Sequence, residues 1–381
     1  MVFIVDEGVL TKSQTGTITG VFYIIYAPLQ LVGGILADRW KPERLIAIGL
    51  VGAGVANTVI FCNPSYTVML AAWSFNAVAQ FAVWPSCFKI MSSALCPEHR
   101  PRGLFFALFA NPFGVMVSYL VAALVGNLWQ NNFLISAIGL FVAAVYWVLL
   151  HSITSRYTEQ AEIVTTEKAS PSAPAAKNGF GRVFVTSGIL LFVVISFIKT
   201  SFDVGVKSLM PSVINDSYTN VSPRLATILS IIALVAGVLG IFFSKFWYPG
   251  KFKTEASATA AMFLIALVPC GVVLLIGKVN YWVIVAAMSL LILHTSSTAP
   301  YLTTYAASRF EKWGKSATVA GALNLCSSLG ITFANMVYTR VADAFGWAFT
   351  TWIWFILLSL GTVLALASVP LWARFLKKEE L

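Results

Sequence analysis

Leu45 to Phe61 holds no charged residue, and neither does Gly16 to Ala37. Apolar runs of about 20 residues recur along the whole chain, and a helix of that length crosses a hydrocarbon core of roughly 30 Å. The chain therefore reads as an all-α, polytopic membrane protein. Composition points the same way: 58% of residues are hydrophobic, 10% are charged and the mean hydropathy is +0.82, whereas a soluble domain carries about 25% charged residues.

The pattern predicts eleven transmembrane spans, at 16–37, 44–62, 66–91, 103–126, 132–150, 183–203, 224–246, 256–277, 280–308, 316–340 and 348–371. Between the fifth and sixth, residues 151–182 contain Glu159, Glu162, Glu167 and Lys168, then the run Ala169-Ser-Pro-Ser-Ala-Pro-Ala-Ala176. Such a polar, proline- and serine-rich stretch without apolar periodicity is a linker. It divides the chain into an N-terminal bundle at 1–150 and a C-terminal bundle at 183–381 with a short tail.

Basic residues set the expected orientation. Arg39, Lys41, Arg44, Arg100, Arg102, Arg156, Lys168, Lys177, Arg182, Lys245, Lys251, Lys253, Arg309, Lys312, Lys315, Arg374, Lys377 and Lys378 fall in one set of connections. Lys12, Lys207, Arg224, Lys278 and Arg340 fall in the other. The basic set is cytoplasmic by the positive-inside rule, which places the C-terminus in the cytoplasm and the N-terminus outside. The same bias accounts for the net charge of +10 without a nucleic-acid partner.

The two halves echo each other. Pro85-Ser-Cys-Phe-Lys89 through Asn111-Pro-Phe-Gly114 parallels Pro300-Tyr-Leu-Thr-Thr304 through Cys326-Ser-Ser-Leu-Gly330. Each runs span, basic turn, then a span rich in small residues. Parallel repeats of this kind build one large class of secondary transporters. A further signature lies at residues 33–44, Gly-Gly-Ile-Leu-Ala-Asp-Arg-Trp-Lys-Pro-Glu-Arg, read as a short basic turn between two spans. With Gly34, Ala37, Asp38, Arg39 and Arg44, it resembles the loop between spans two and three of the major facilitator superfamily. Within that superfamily the chain is most similar to the organophosphate:phosphate antiporter group. That likeness rests on Gln80-Phe-Ala-Val-Trp-Pro-Ser-Cys-Phe-Lys-Ile-Met91, Tyr26, Gly205-Val206 and Pro211.

The resemblance implies a major facilitator fold: two pseudo-symmetric bundles, eleven helices seen of twelve, and a first helix missing before the signature turn. It also implies that Gly34, Asp38, Arg39 and Arg44 form a gating loop whose charge pairs break as the transporter rocks. The group's usual phosphate-holding cations are replaced here: Gln30 stands where a lysine is common, Asn111 where a histidine stands and Asp203 where an arginine stands. A phosphate site needs cationic or N–H donors, so sugar-phosphate exchange is not the implied activity.

Candidate solute-binding residues follow from polarity inside spans. An ionisable group there is costly and so marks function. Lys199 and Asp203 are four apart, on one helix face and able to pair; they read either as a solute contact or switch, or as an ion pair near the membrane surface. Tyr26 with Gln30, and Asn76 with Gln80, share the same spacing. Asn111, before Pro112, and Asn324 complete a set that would either line a cavity or join helices by hydrogen bonds.

Several chemistries find no motif. Gly314-Lys315-Ser316 lacks the earlier glycine of a phosphate loop, since residue 309 is arginine. His99, His151 and His294 have no metal-ligand spacing, and the cysteines read as free thiols. No enzyme activity, cofactor or metal is expected. The expected function is a secondary active transporter of the plasma membrane, monomeric in the lipid bilayer. It would move a small polar or anionic organic metabolite by alternating access, driven by a proton gradient or a counter-solute. The alternatives are a transporter-like solute sensor and an inactive truncated transporter.

Overall fold

A computed structural model describes residues 2–94, 100–126, 128–165, 184, 187–310 and 316–379. Among these, the helices are α1 (Val2–Asp6), α2 (Lys12–Arg39), α3 (Pro42–Cys62), α4 (Tyr66–Gln80), α5 (Val83–Ala94), α6 (Arg100–Val125), α7 (Gln130–Thr165) and α8 (Ile189–Ser217). They continue with α9 (Pro223–Lys245), α10 (Glu255–Val273), α11 (Tyr281–Ser297), α12 (Ser316–Phe333) and α13 (Thr339–Glu379). Wider helical turns follow α9 at Phe246–Lys251, lie at Tyr301–Tyr305, and join α12 to α13 at Ala334–Tyr338. The breaks have local causes. Pro42 and Pro223 open α3 and α9 at positions where a missing N–H costs nothing. The side chains of Ser222, Thr254 and Asn280 cap the starts of α9, α10 and α11 by accepting from Leu225, Ser257 and Trp282 N–H.

Eight segments among the described residues are long and apolar enough to cross a membrane. The last, Gly321–Lys377, contains the residues of two expected spans, divided at Gly346, whose φ of 78° and ψ of 174° leave the helical region. Pro112–Val125 is a shorter apolar stretch. The expected count of eleven is therefore not established by these residues.

Three sequence boundaries need correction. The sixth span does not end at Asp203: α8 continues to Ser217 through Gly205 and Pro211. Glycine 34 to Arg39 are not a turn but the last part of α2, and only Trp40 and Lys41 separate it from α3. Helix α7 runs to Thr165 and takes the first part of the 151–182 segment, whose remainder lies outside the described residues.

The chain folds into two compact units, residues 25–107 with 130–175, and residues 1–24 with 108–129 and 176–381. In the smaller unit, α3 packs against α4, α5 and α7. Gly52 permits the close approach to α4, since a Cβ there would meet the Ala79 methyl at 2.5 Å; small residues serve this purpose where lipid offers no hydrophobic driving force between helices. Lys89 Nζ donates to the Ala37 carbonyl at 2.7 Å, and Trp147 Nε1 donates to the Glu43 carbonyl at 3.0 Å. Val142 and Val145 on α7 are exposed, as a lipid-facing stripe requires.

The larger unit has the continuous core. Phe192, Phe310, Trp372 and Phe375 stack at one end of it, while Phe202, Tyr338 and Trp354 pack near the middle of α8. Gly330 on α12 lies against the Phe197 carbonyl of α8, where any Cβ would overlap it. Helix α8 is thus enclosed by α9, α11, α12 and α13, which matters because its polar residues sit deep in it.

Candidate functional site

Helix α8 spans 29 residues, about 43 Å at 1.5 Å per residue. Asp203 is fourteen steps from Ile189 and fourteen from Ser217, so it lies at the helix midpoint and not near an end. Lys199 and Lys207 flank it one turn away on each side, hence on the same face. Asp203 Oδ2 takes Lys207 Nζ at 2.8 Å and Lys199 Nζ at 3.4 Å. Its Oδ1 accepts from Ser296 Oγ at 2.9 Å and from Thr295 Oγ1 at 3.2 Å. Lys207 also donates to Ser296 Oγ at 2.8 Å. A buried carboxylate is tolerated only when paired and hydrogen-bonded, and both oxygens here meet that condition.

Neighbouring helices shape this triad. Gly237 of α9 leaves room for it: a Cβ would lie 3.3 Å from both Lys207 Cε and Ser296 Oγ. Tyr119 of α6 donates to the Lys207 carbonyl at 2.7 Å, and Ser201 and Tyr338 hydroxyls meet at 2.8 Å on another face of α8. Where α8 ends, Asp216 binds Lys12 at 2.7 Å and accepts from Trp347 Nε1 at 2.7 Å, while Asp343 accepts from the Ser13 N–H.

The other anticipated residues are placed as follows. Lys199 and Asp203 pair directly. Tyr26 and Gln30 share a side-chain hydrogen bond, and Gln80 Nε2 donates to Asn76 Oδ1 at 2.6 Å. Asn324 is exposed on α12. The side chains of Asn111, Asp38 and Arg39 lie outside the described residues. Arg44 is exposed, and Gly34 faces open space; it is Gly33 that packs closely, with a Cβ 2.7 Å from the Phe81 carbonyl.

Residues that sequence reasoning missed include Lys207, Thr295, Ser296 and Gly237. Lys207 carried a usable signal, its four-residue spacing from Asp203. A second buried carboxylate was missed entirely. Glu255, fully buried at the start of α10, accepts from Tyr248 Oη at 2.8 Å, Arg309 Nε at 2.9 Å and Trp372 Nε1 at 2.8 Å. Its donors come from three separate parts of the unit, which makes it a structural tie between helix ends.

Comparison with known proteins places the fold. A family model described as the Major Facilitator Superfamily matches residues 2–335. The "Membrane sensor protein UhpC" of Salmonella typhimurium is 27% identical over 157 residues, covering 40% of this chain and 35% of that protein. A "Probable hexose phosphate transport protein" of Chlamydia trachomatis is 28% identical over 81 residues, 21% of this chain and 18% of that one. The chain thus spans about a third or less of the length of these relatives. A solved structure of a bacterial homolog to human lysosomal transporter Spinster, inward-facing and occupied, superposes with a TM-score of 0.76 at 14% identity, over 98% of this chain and 93% of that one. With its buried charge triad, its lipid-facing apolar stripes and a family match across most of its length, the chain belongs to the Major Facilitator Superfamily.

Proposed function

We propose that the protein is a secondary active transporter of a small organic anion, working by alternating access in the plasma membrane as a monomer. The observation that carries this reading is the Lys199–Asp203–Lys207 triad at the middle of a membrane-length helix. Charges kept at that depth mark solute or ion pathways, and transporter sites lie near the midplane. Asp203 acts as the pivot: its pairing with Lys199 breaks and re-forms as solute comes and goes, linking occupancy to the change of state. Energy comes from a proton gradient or a counter-solute.

The remaining polar set, Tyr26, Gln30, Asn76, Gln80, Asn111 and Asn324, selects the solute by hydrogen bonds. Gly34, Asp38, Arg39 and Arg44 belong to the gate. The distribution of lysine and arginine supports a cytoplasmic C-terminus, and the echo between the two halves supports the bundles 1–150 and 183–381 as the moving parts. The relative named as a hexose phosphate transport protein supports an anionic solute. The one named as a membrane sensor supports a second reading, in which solute is bound and not moved.

Uptake into proteoliposomes separates them. Organophosphates, carboxylates and sugars are supplied with and without a pH gradient or internal counter-solute. Uptake that requires one of these is the expected result; binding without uptake indicates the sensor. Uptake that needs neither gradient nor counter-solute refutes the coupled mechanism. Coupled uptake unaffected by Asp203→Asn refutes the pivot.

A further inference from the structure

Charge counting within the triad narrows the solute. Along α8 the ionisable residues are Lys199, Asp203, Lys207 and, at its end, Asp216. At the midpoint two ammonium groups face one carboxylate, a residual charge of +1 in a span where an uncompensated charge is costly. The two lysines are not equivalent. Lys207 sits 2.8 Å from Asp203 and 2.8 Å from Ser296 Oγ, with its stem against Gly237. Lys199 reaches Asp203 only at 3.4 Å, and among the described residues it makes no other polar contact, though an ammonium has three donors. Asp203 in turn has both oxygens occupied by Lys207, Ser296 and Thr295 without Lys199.

We infer that Lys199 is the anion receptor of the site and that the cargo is a singly charged organic anion, a monocarboxylate. Lys207 and Asp203 neutralise each other, and the solute's carboxylate completes the charge of Lys199. A phosphate monoester carries close to two negative charges at neutral pH and would leave one uncompensated. The inference rests on the transporter reading above and adds the charge class of its substrate.

The test is calorimetric binding to the full chain in nanodiscs of zwitterionic lipid, so that no anionic headgroup competes. The probes are gluconate, 3-phenylpropionate, glucose 6-phosphate and glucose. A carboxylate is expected to bind more tightly than glucose 6-phosphate and glucose. Lys199→Gln should weaken it about tenfold or more, the loss of a charge-assisted hydrogen bond, while Lys199→Arg retains it. Asp203→Asn raises the residual charge to +2 and should shift preference toward glucose 6-phosphate.

Thermal unfolding shows which variants fold, and Lys199→Arg keeps the inference exposed if Lys199→Gln does not fold. It is overturned if neither carboxylate binds the unmodified protein, if glucose 6-phosphate binds more tightly than both, if Lys199→Gln binds as before, or if a folded Lys199→Arg protein loses binding. Any of these, with uptake of another solute intact, leaves the transporter reading standing. Carboxylate binding without uptake of any solute removes the transporter and leaves the receptor.

Discussion

Replacing Glu255 by leucine removes one side chain of similar size and strands its donors. The carboxylate is fully buried. One oxygen accepts from Tyr248 Oη at 2.8 Å and from the Arg309 guanidinium at 2.9 Å, and the other accepts from Trp372 Nε1 at 2.8 Å. The Trp372 indole is itself fully buried, so its N–H is left without a partner, at about 1–3 kcal/mol. Removing one member of a buried ion pair costs about 3–5 kcal/mol. The Arg309 side chain is 37% exposed, so water recovers part of its share, and about 3 kcal/mol is the net expectation. In a unit of roughly 250 residues each kcal/mol lowers Tm by about 2–4 °C, giving a fall of at least 6 °C by that conversion.

Thermal unfolding in detergent, followed by tryptophan fluorescence, measures this directly. Glu255→Gln, which keeps one acceptor, should lose roughly half as much by the same hydrogen-bond scale. Adding Arg309→Met to Glu255→Leu should recover part of the loss, because the uncompensated cation is gone. A Glu255→Leu protein that melts within about 1 °C of the unmodified one refutes the reasoning, since it would mean that none of the donors depends on this acceptor.

Three further outcomes follow from the geometry. Gly330→Ala drives a methyl onto the Phe197 carbonyl and should destabilise by about 1–3 kcal/mol in the same melt; an unchanged Tm would mean that α12 can move off α8 freely. Tyr119→Phe removes the hydroxyl bonded to the Lys207 carbonyl and should cost about 1 kcal/mol, read as a small fall in Tm with expression unchanged. Lys12→Ala deletes an ion pair whose side chains are 23% and 25% exposed, so the melt should shift by less than about 1 kcal/mol equivalent, Trp347 still holding Asp216.

The fold class was legible because membrane spans follow from apolar length alone, and the Lys199–Asp203 contact because one turn of helix brings them together whatever surrounds them. What the sequence hid depends on packing. Lys207 seemed to lie beyond a span because Gly205, Pro211 and its own charge interrupt the apolar run. The helix nevertheless continues, since neighbouring helices can re-satisfy a backbone group freed by proline. Thr295 and Ser296 are 92 and 93 residues from Asp203, and no local pattern announces which hydroxyls will meet a carboxylate. The motif points to Gly34, yet of the two it is Gly33 that stands against a neighbouring backbone. A glutamate just after Thr254 reads as an ordinary acidic residue in a helix first turn, so nothing local announces the Glu255 tie.

The charges at the centre of α8 also bear on how the chain is made. On the scale by which the translocon admits helices, a lysine or aspartate at the centre disfavours insertion by about 2.5–3.5 kcal/mol each. A helix carrying Lys199, Asp203 and Lys207 is therefore a poor solitary client, even with its two internal pairs. The hydroxyls that complete Asp203's coordination come from α11, which is synthesised later, after α9 and α10. Helix α8 should accordingly linger at the translocon or its lateral gate until α11 arrives, so that the larger bundle is released into lipid as a group and not helix by helix.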